Sequence, residues 1–172
     1  MSEPQRQRPL IAVGLPTPAG MFIAQFSERG LAELHFPRRY AQPPKVDQSA
    51  LSPQLREWIA LTTPAIEAVL AGTAPTALPP LDVSTGTEFQ QRVWSALRRI
   101  PLGASRSYAE IAAEIGSPKA SRAVGGACGA NPIPVLIPCH RVLAAGRDLG
   151  GFTAGLDWKL RLLAAEGVES NQ

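Results

Sequence analysis

The spacing of apolar positions changes part-way along the chain. Leu10–Val13, Met21–Phe26 and Leu31–Phe36 are short apolar runs separated by breaks that hold Pro16, Pro18, Gly20 and Gly30. They predict three short strands with turns between them. Residues 1–9, before them, are polar and expected to be disordered. Arg38–Ser49 reads as a loop. Leu51, Leu55, Trp58, Ile59, Ile66, Val69 and Leu70 then fall near helical spacing, with Pro64 expected to break or restart the helix. Gly72–Pro80, with three prolines, reads as a linker, and Leu81–Val83 as a further short strand. A small sheet covered by a helix is an α+β layer.

The second half is patterned more sharply. Thr87-Glu88-Phe89-Gln90 fits a capping box, and Phe89, Val93, Trp94, Leu97 and Ile100 line one face of the helix that follows, which Pro101–Gly103 ends. Ser107-Tyr108-Ala109-Glu110 is a second capping box, opening a short helix with Ile111, Ala112 and Ile115 inward. Gly116-Ser117-Pro118 predicts a tight turn, with Ser117 as N-cap and Pro118 first in a helix running to about Cys128. Two short helices joined by a glycine turn read as a helix-turn-helix, a pair that many enzymes contain without touching DNA. Val142–Leu149 predicts a hairpin or wing with Gly146 in the turn. Leu156–Glu166 predicts a last amphipathic helix with Trp158, Leu162 and Leu163 inward and Gly167 as its C′ residue.

The helix Pro118–Cys128 is unusual in its small side chains. Ala120, Ser121, Ala123, Gly125, Gly126 and Ala127 surround one long residue, Arg122. Adjacent glycines cost a helix about 1 kcal/mol each, so they need a reason. Either the helix packs closely on its own domain, or its backbone approaches another surface.

Composition bounds the picture. The 172 residues, 45% hydrophobic, suffice for one domain or two small ones. No apolar run approaches a membrane span, and Met1-Ser2-Glu3-Pro4 does not begin a signal peptide. Two cysteines, Cys128 and Cys139, predict a reducing, cytoplasmic setting. With His35 and His140 far apart there is no metal-ligand cluster, so no metal is expected. The net charge of +3 is uneven: residues 1–86 carry seven Lys/Arg and seven Asp/Glu, residues 87–172 ten and seven. The excess is small, but it is consistent with the second half meeting phosphate.

Chemistry concentrates in Asn131-Pro132-Ile133-Pro134-Val135-Leu136-Ile137-Pro138-Cys139-His140-Arg141-Val142. Three prolines make this segment neither a regular helix nor a central strand. Cys139 therefore sits on a stiff backbone. A thiol is a useful nucleophile as thiolate, and an imidazole is the usual neighbour that activates it. Adjacent side chains of an extended segment point to opposite faces, so His140 can serve Cys139 only if the backbone turns there or a water bridges them. A buried cysteine is otherwise simply a small hydrophobe.

Pro-Cys-His-Arg-Val, preceded by Asn-Pro and followed by Gly-Gly-Phe-Thr-Ala-Gly, resembles the signature of the O6-alkylguanine-DNA alkyltransferases, and the resemblance runs from about Thr87 to Gly167. It implies an α+β protein: a ribonuclease H-like scaffold domain, residues 1–80, followed by a winged helix-turn-helix catalytic and DNA-binding domain, residues 81–172. It implies irreversible, once-only transfer of a methyl or other alkyl group from O6 of guanine, and from O4 of thymine, to Cys139 after the damaged base is flipped out of duplex DNA. No cofactor is needed.

The roles implied follow residue by residue. Cys139 matches the acceptor, His140 the group that takes its proton through a water, and Glu166 the carboxylate that orients the histidine. Asn131 matches a hinge asparagine shaping the active-site wall, and Tyr108 a donor toward guanine N3 that also helps rotate the nucleotide out. Backbone groups near Val135 and Val142, the ring of Phe152, the hydroxyl of Thr153 and Ala154 would surround the base. Phe152 stands where many relatives have tyrosine, and Ala154 where some have glycine. Arg122 matches a finger that enters the base stack, on a helix whose Ala120, Ser121, Ala123 and Gly125 would lie in the minor groove. A monomer is expected, with cooperativity on DNA left open. Rival readings are a DNA-binding regulator, an alkylated-DNA sensor without transfer, and a Cys-His hydrolase.

Overall fold

Three antiparallel strands open the chain in a computed structural model that describes residues 9–38 and 42–171. Most of the expected disordered start, residues 1–8, and residues 39–41 of the expected loop lie outside the described residues. Strands β1 (Ile11–Thr17), β2 (Gly20–Ser27) and β3 (Gly30–His35) form a sheet in the order β1-β2-β3. Alternating Val13, Leu15, Phe22, Ala24, Phe26 and Leu34 are buried on one face. Pro16 lies inside β1, paired with Met21, and not in the break expected there. An edge strand tolerates a missing amide.

Helix α1 (Pro53–Leu70) begins under the cap of Ser52, whose hydroxyl accepts from the Leu55 amide at 3.2 Å. Pro64 was expected to break this helix, yet α1 runs through it. An interior proline costs about 3 kcal/mol. Ile66 and Val69, just beyond it, are fully buried, and each contributes about 1.5–3 kcal/mol by leaving water. Continuing the helix therefore wins. After α1 the irregular segment begins at Gly72 (φ 72°), where a Cβ would stand 1.9 Å from the Ala165 carbonyl oxygen. The segment is thus docked on the second half.

Strand β3 ties the two halves together. The Leu31 amide donates to Pro80 O at 2.8 Å and the Asp82 amide to Leu31 O at 2.7 Å, so the strand expected at Leu81–Val83 reduces to one parallel bridge, Leu31 to Leu81. The Leu34 amide donates to Pro132 O at 2.9 Å, inside the proline-rich segment. One hydrophobic core includes Phe22, Leu34 and Ile66 together with Trp94, Ile111, Ile137 and Leu162. At its edge the Phe36 ring lies 4.8 Å from Trp158 and 5.8 Å from Phe152.

In the second half α2 (Glu88–Leu97) and α3 (Tyr108–Glu114) start with the expected capping boxes, Thr87 with Gln90 and Ser107 with Glu110. Helix α4 does not start at Pro118. Ser117-Pro118-Lys119-Ala120 is a separate turn, closed by the Ala120 amide on Ser117 O at 2.8 Å, and α4 spans Ser121–Gly129 with no side-chain cap. Ser117 is therefore not its N-cap. The wing turns at Gly146 (φ 72°) as expected, closed by the Ala144 amide on Asp148 O at 2.8 Å. Strand β5 (Val142–Leu143) pairs in parallel with β4 (Arg106–Ser107), and the chain then curls through a 3-10 turn, Ala145–Arg147. Beyond the Ala144–Asp148 bond the returning arm pairs with the C-terminal tail, through an Asp148–Asn171 bridge and the Asn171 amide on Arg147 O, and the hairpin ladder extends no further. Helix α5 (Leu156–Ala165) ends as expected: Val168 N–H bonds Leu163 O, Gly167 N–H bonds Ala164 O, and Gly167 has φ 70°. Among the described residues the architecture is α+β, a small antiparallel sheet with five α-helices. Among the described residues no helix is long and apolar enough to cross a membrane.

Candidate functional site

The proline-rich segment is held by one side chain. Asn131 donates from Nδ2 to Ile137 O at 2.8 Å and accepts at Oδ1 from the Ile133 amide at 3.0 Å, spanning the loop from its first residue. Between these ties Val135 has φ 75°. That conformation is strained for a β-branched residue, by roughly 1–3 kcal/mol, and persists only where the surroundings enforce it. Pro138 then leads into a 3-10 turn, Cys139–Arg141, closed by the Arg141 amide on Pro138 O at 3.0 Å. The backbone thus turns at Cys139 and His140.

The turn buries Cys139, His140 and Arg141 together. Nε2 of His140 lies 2.8 Å from Oε1 of Glu166. Arg141 grips the same carboxylate with both arms, Nε to Oε2 at 2.8 Å and Nη2 to Oε1 at 2.9 Å, and donates from Nη1 to Ile100 O at 2.7 Å. Glu166 sits at the C-cap of α5, and its side chain has 0% exposure. Burial raises its pKa, but the hydrogen bonds from His140 and Arg141, with the guanidinium charge, outweigh that and draw it down to about 2. An ionised carboxylate only accepts, so Nε2 of His140 carries a proton. Burial lowers the imidazole's pKa despite Glu166, which leaves the ring neutral with its lone pair on Nδ1. Nδ1 is buried and has no hydrogen-bond partner among the described residues. Buried polar atoms are rarely left so, and its free lone pair can accept a proton.

Burial pushes the Cys139 thiol up, against the Asn131 amide and the charge of Lys159, which favour thiolate. It is therefore a thiol at rest and needs a base. Burial and the neighbouring Cys139 also push the Cys128 thiol up, to about 12, and it packs as a buried residue of α4. Burial also raises Tyr108, with the two cysteines adding to it, so its phenol keeps its proton. Tyr108 opens α3 and faces Gly150, where a Cβ would come within 2.9 Å of its hydroxyl.

The remaining sequence candidates divide. Val135 and Val142 are buried beside the cysteine turn. Phe152 is half-buried and edge-on to Phe36, Ala154 is half-buried, and Thr153 is exposed with its hydroxyl donating to Gly129 O at 2.9 Å. That bond ties the glycine-rich loop to the end of α4. Arg122 and Ala123 are exposed on α4, with Ala120, Ser121 and Gly125 half-buried. An open groove of about 690 Å³ runs between α3, the start of α4 and the wing, lined by Arg106, Tyr108, Ser121, Arg122 and Arg147. Close packing on the chain itself does not account for the paired glycines. A Cβ at Gly126 meets nothing within 4 Å, and one at Gly125 meets only the Tyr108 ring at 3.9 Å.

Two residues had no role assigned from sequence. Arg141 stood in the motif, but its two-armed hold on Glu166 joins residues 25 apart. Lys159 is fully buried, and its Nζ donates to Val142 O at 2.7 Å, to Leu149 O and to Gly151 O at 3.4 Å. A signal was present: Lys159 falls three and four residues before Leu162 and Leu163, on the inward stripe of α5.

Comparison with known proteins gives one consistent answer. The family model described as 6-O-methylguanine DNA methyltransferase, DNA binding domain, matches residues 88–168. The methylated-DNA–protein-cysteine methyltransferase of Methanosarcina acetivorans is 57% identical over 82 residues, 48% of this chain and 53% of that protein. The match thus spans about half the length of the curated relatives. Solved structures extend the likeness. Mycobacterium tuberculosis OGT in complex with DNA is 35% identical with a TM-score of 0.67, covering 91% of this chain and 92% of that one. The O6-methylguanine methyltransferase of the same organism is 34% identical with a TM-score of 0.70 over the same shares.

Proposed function

The chain belongs to the O6-methylguanine-DNA methyltransferase family, and on that premise we propose that it repairs DNA by direct reversal, moving an alkyl group from guanine O6 to Cys139. The observation that carries the proposal is the buried relay, a protonated thiol beside a neutral His140 whose Nε2–H is fixed on Glu166. The thiol proton passes to His140 Nδ1 through a bridging water. The Cys139 Sγ–carbon bond forms as the carbon–O6 bond breaks, and the electron pair leaves with guanine. Tyr108, still protonated, supplies a proton at guanine N3 so that the base departs neutral, and the proton taken up by His140 then makes good the one lost from the Tyr108 phenol. Glu166, with Arg141 behind it, supports the imidazolium that forms. The product is a thioether that no group in the site can cleave, so each molecule reacts once. The step draws on no cofactor.

Duplex DNA is the partner this arrangement suits. The uncapped start of α4 offers backbone N–H groups and a partial positive charge to a phosphate beside Arg106 and Arg122. The bare surface at Gly126 lets the helix backbone approach closely, which fits the minor groove. Arg122 takes the place of the extruded base, a step that costs a few kcal/mol and is offset by DNA contacts. Val135, Val142, Phe152, Thr153 and Ala154 wall the base pocket, and Thr153 exchanges its bond to Gly129 for one to the base. Residues 1–80 act as scaffold and residues 81–172 as the alkyltransferase unit, working as a cytoplasmic monomer. O4-methylthymine is a second substrate of the same chemistry.

The test is mass spectrometry after incubation with a duplex carrying O6-methylguanine. One methyl per protein, on the peptide holding Cys139, is expected. Turnover without protein modification would instead favour a Cys-His hydrolase, and neither would favour a DNA-binding regulator.

A further inference from the structure

Phe152 brings the one ring in the glycine-rich loop, and its own loop does little to fix it. It has no hydroxyl to bond, and glycines at 150, 151 and 155 leave the surrounding backbone permissive. The ties within reach hold main chain or a neighbour: the Gly155 amide donates to Phe152 O at 2.9 Å, and Thr153 to Gly129 O at 2.9 Å. Among the described residues its aromatic partner is Phe36, which follows β3 in the first half of the chain and meets it edge-on, with ring centres 5.8 Å apart at 76°. Phe36 is itself held from behind. Its ring lies 5.5 Å from Phe22, fully buried on β2, and 4.8 Å from Trp158 on α5, and those two meet edge-on at 5.9 Å. Such pairs resist sliding because the positive edge of one ring meets the negative face of the next. Two residues earlier, the Leu34 amide bonds Pro132 O in the segment that carries Cys139. The end of β3 therefore touches both that segment and the loop that carries Phe152, and sets how they stand to each other.

We propose that Phe36 is a positioning residue for substrate choice: through Phe152 it holds a flat apolar face in place for an O6-alkyl group large enough to reach it, such as benzyl. The role rests on the repair reading, in which Phe152 walls the pocket. Phe152 is half-buried, so part of its ring stays open to a ligand. A methyl group is too small to cover a ring and gains little from such a wall. A benzyl group packs on it, and a wall already in position needs no ordering when the group arrives.

The test is the ratio of single-hit rate constants for free O6-benzylguanine over free O6-methylguanine, two bases that share acceptor, relay and leaving group and need no extrusion. Phe36→Ala should lower this ratio about tenfold, the size of discrimination that contacts in an apolar pocket give. Phe36→Tyr keeps the ring and should hold the wild-type ratio. In Phe152→Leu protein, where the flat face is already gone, Phe36→Ala should change the ratio no further, because Phe36 acts through Phe152. Phe36→Leu keeps apolar bulk in case the alanine variant does not fold, and should move the ratio in the same direction. A folded Phe36→Ala or Phe36→Leu protein that slows both bases alike would make Phe36 a structural residue and overturn the proposal. A ratio that rose would make Phe152 a stop rather than a platform, and would overturn it too. If wild-type Cys139 gained no alkyl group from methylated duplex or from either base, the repair reading itself would fall, and the proposal with it.

Discussion

His140 Nε2 and Glu166 Oε1 stand 2.8 Å apart although 26 residues separate them, and neither side chain is exposed to solvent. Glu166 is the cap residue at the end of α5, so the helix length sets where the imidazole is held. Glu166→Gln keeps an acceptor for Nε2–H but removes the charge that supports the imidazolium. It should slow transfer from duplex DNA and from free O6-benzylguanine by a similar factor. Single-hit rate constants on both substrates check this.

The same pair predicts how stability follows pH. The Glu166 carboxyl falls from its ordinary 4.5 to about 2 in the fold. A depressed carboxyl favours the folded state above its unfolded pKa, and the benefit is lost as pH drops through the folded value. For this fully enclosed side chain the benefit is on the order of 3 kcal/mol. His140 acts with the same sign. Its folded pKa lies below the ordinary 6.5, so the unfolded chain takes up the proton first on acidification. Urea midpoints should therefore fall first below about pH 6.5 and again below about pH 4.5. Glu166→Gln should lose the second fall and be less stable at neutral pH by about 3–5 kcal/mol, because Arg141 is left buried and unpaired. A flat profile in the wild-type protein between pH 6.5 and 3 would contradict the buried network.

Gly126 offers a test in which stability and binding move in opposite directions. It is exposed in the interior of α4, with nothing within 4 Å of where a Cβ would be. Gly126→Ala should stabilise the protein by about 1 kcal/mol from helix propensity. If the α4 backbone lies against DNA, the added methyl should weaken duplex binding and leave reaction with free O6-benzylguanine unchanged. Thermal melts and fluorescence anisotropy on one preparation would show both. Unchanged affinity would remove α4 from the interface.

Arg122→Ala should separate extrusion of the base from chemistry. Only duplex DNA bears an unstacking cost of a few kcal/mol, so repair of the duplex should slow by about 10- to 100-fold while the free base reacts at the wild-type rate. Equal slowing of both would make Arg122 a structural residue.

The acceptor assignment has its own control in the second cysteine. Cys139→Ser should bind methylated duplex and transfer nothing, whereas Cys128→Ser should transfer normally. Peptide mapping that found the alkyl group on Cys128 would overturn the assignment.

Much of this was legible in the chain because local signals decided it. Thr87 with Gln90, Ser107 with Glu110, and Gly167 past α5 each mark an end with a bond spanning a few residues. Expectations failed where distant contacts outweighed local preference. Pro64 stays helical because Ile66 and Val69 beyond it are buried. The wing turns at Gly146 as expected, but its returning arm also pairs with Asn171, which no local rule could indicate. At the site, Cys139 and His140 announced themselves by motif. Lys159 and the grip of Arg141 depend on which carbonyls and carboxylates converge after folding.

The bond from the Leu34 amide to Pro132 O joins β3 to the loop that carries the cysteine, and both ends of it are main chain. A support of that kind does not ask which amino acid supplies it. The two residues that make this bond can therefore change identity while the strand edge stays at that height, whereas residues facing the cysteine act through their side chains. The DNA-binding-domain model matches residues 88–168, and likeness of shape runs on through nearly the whole chain, across that bond.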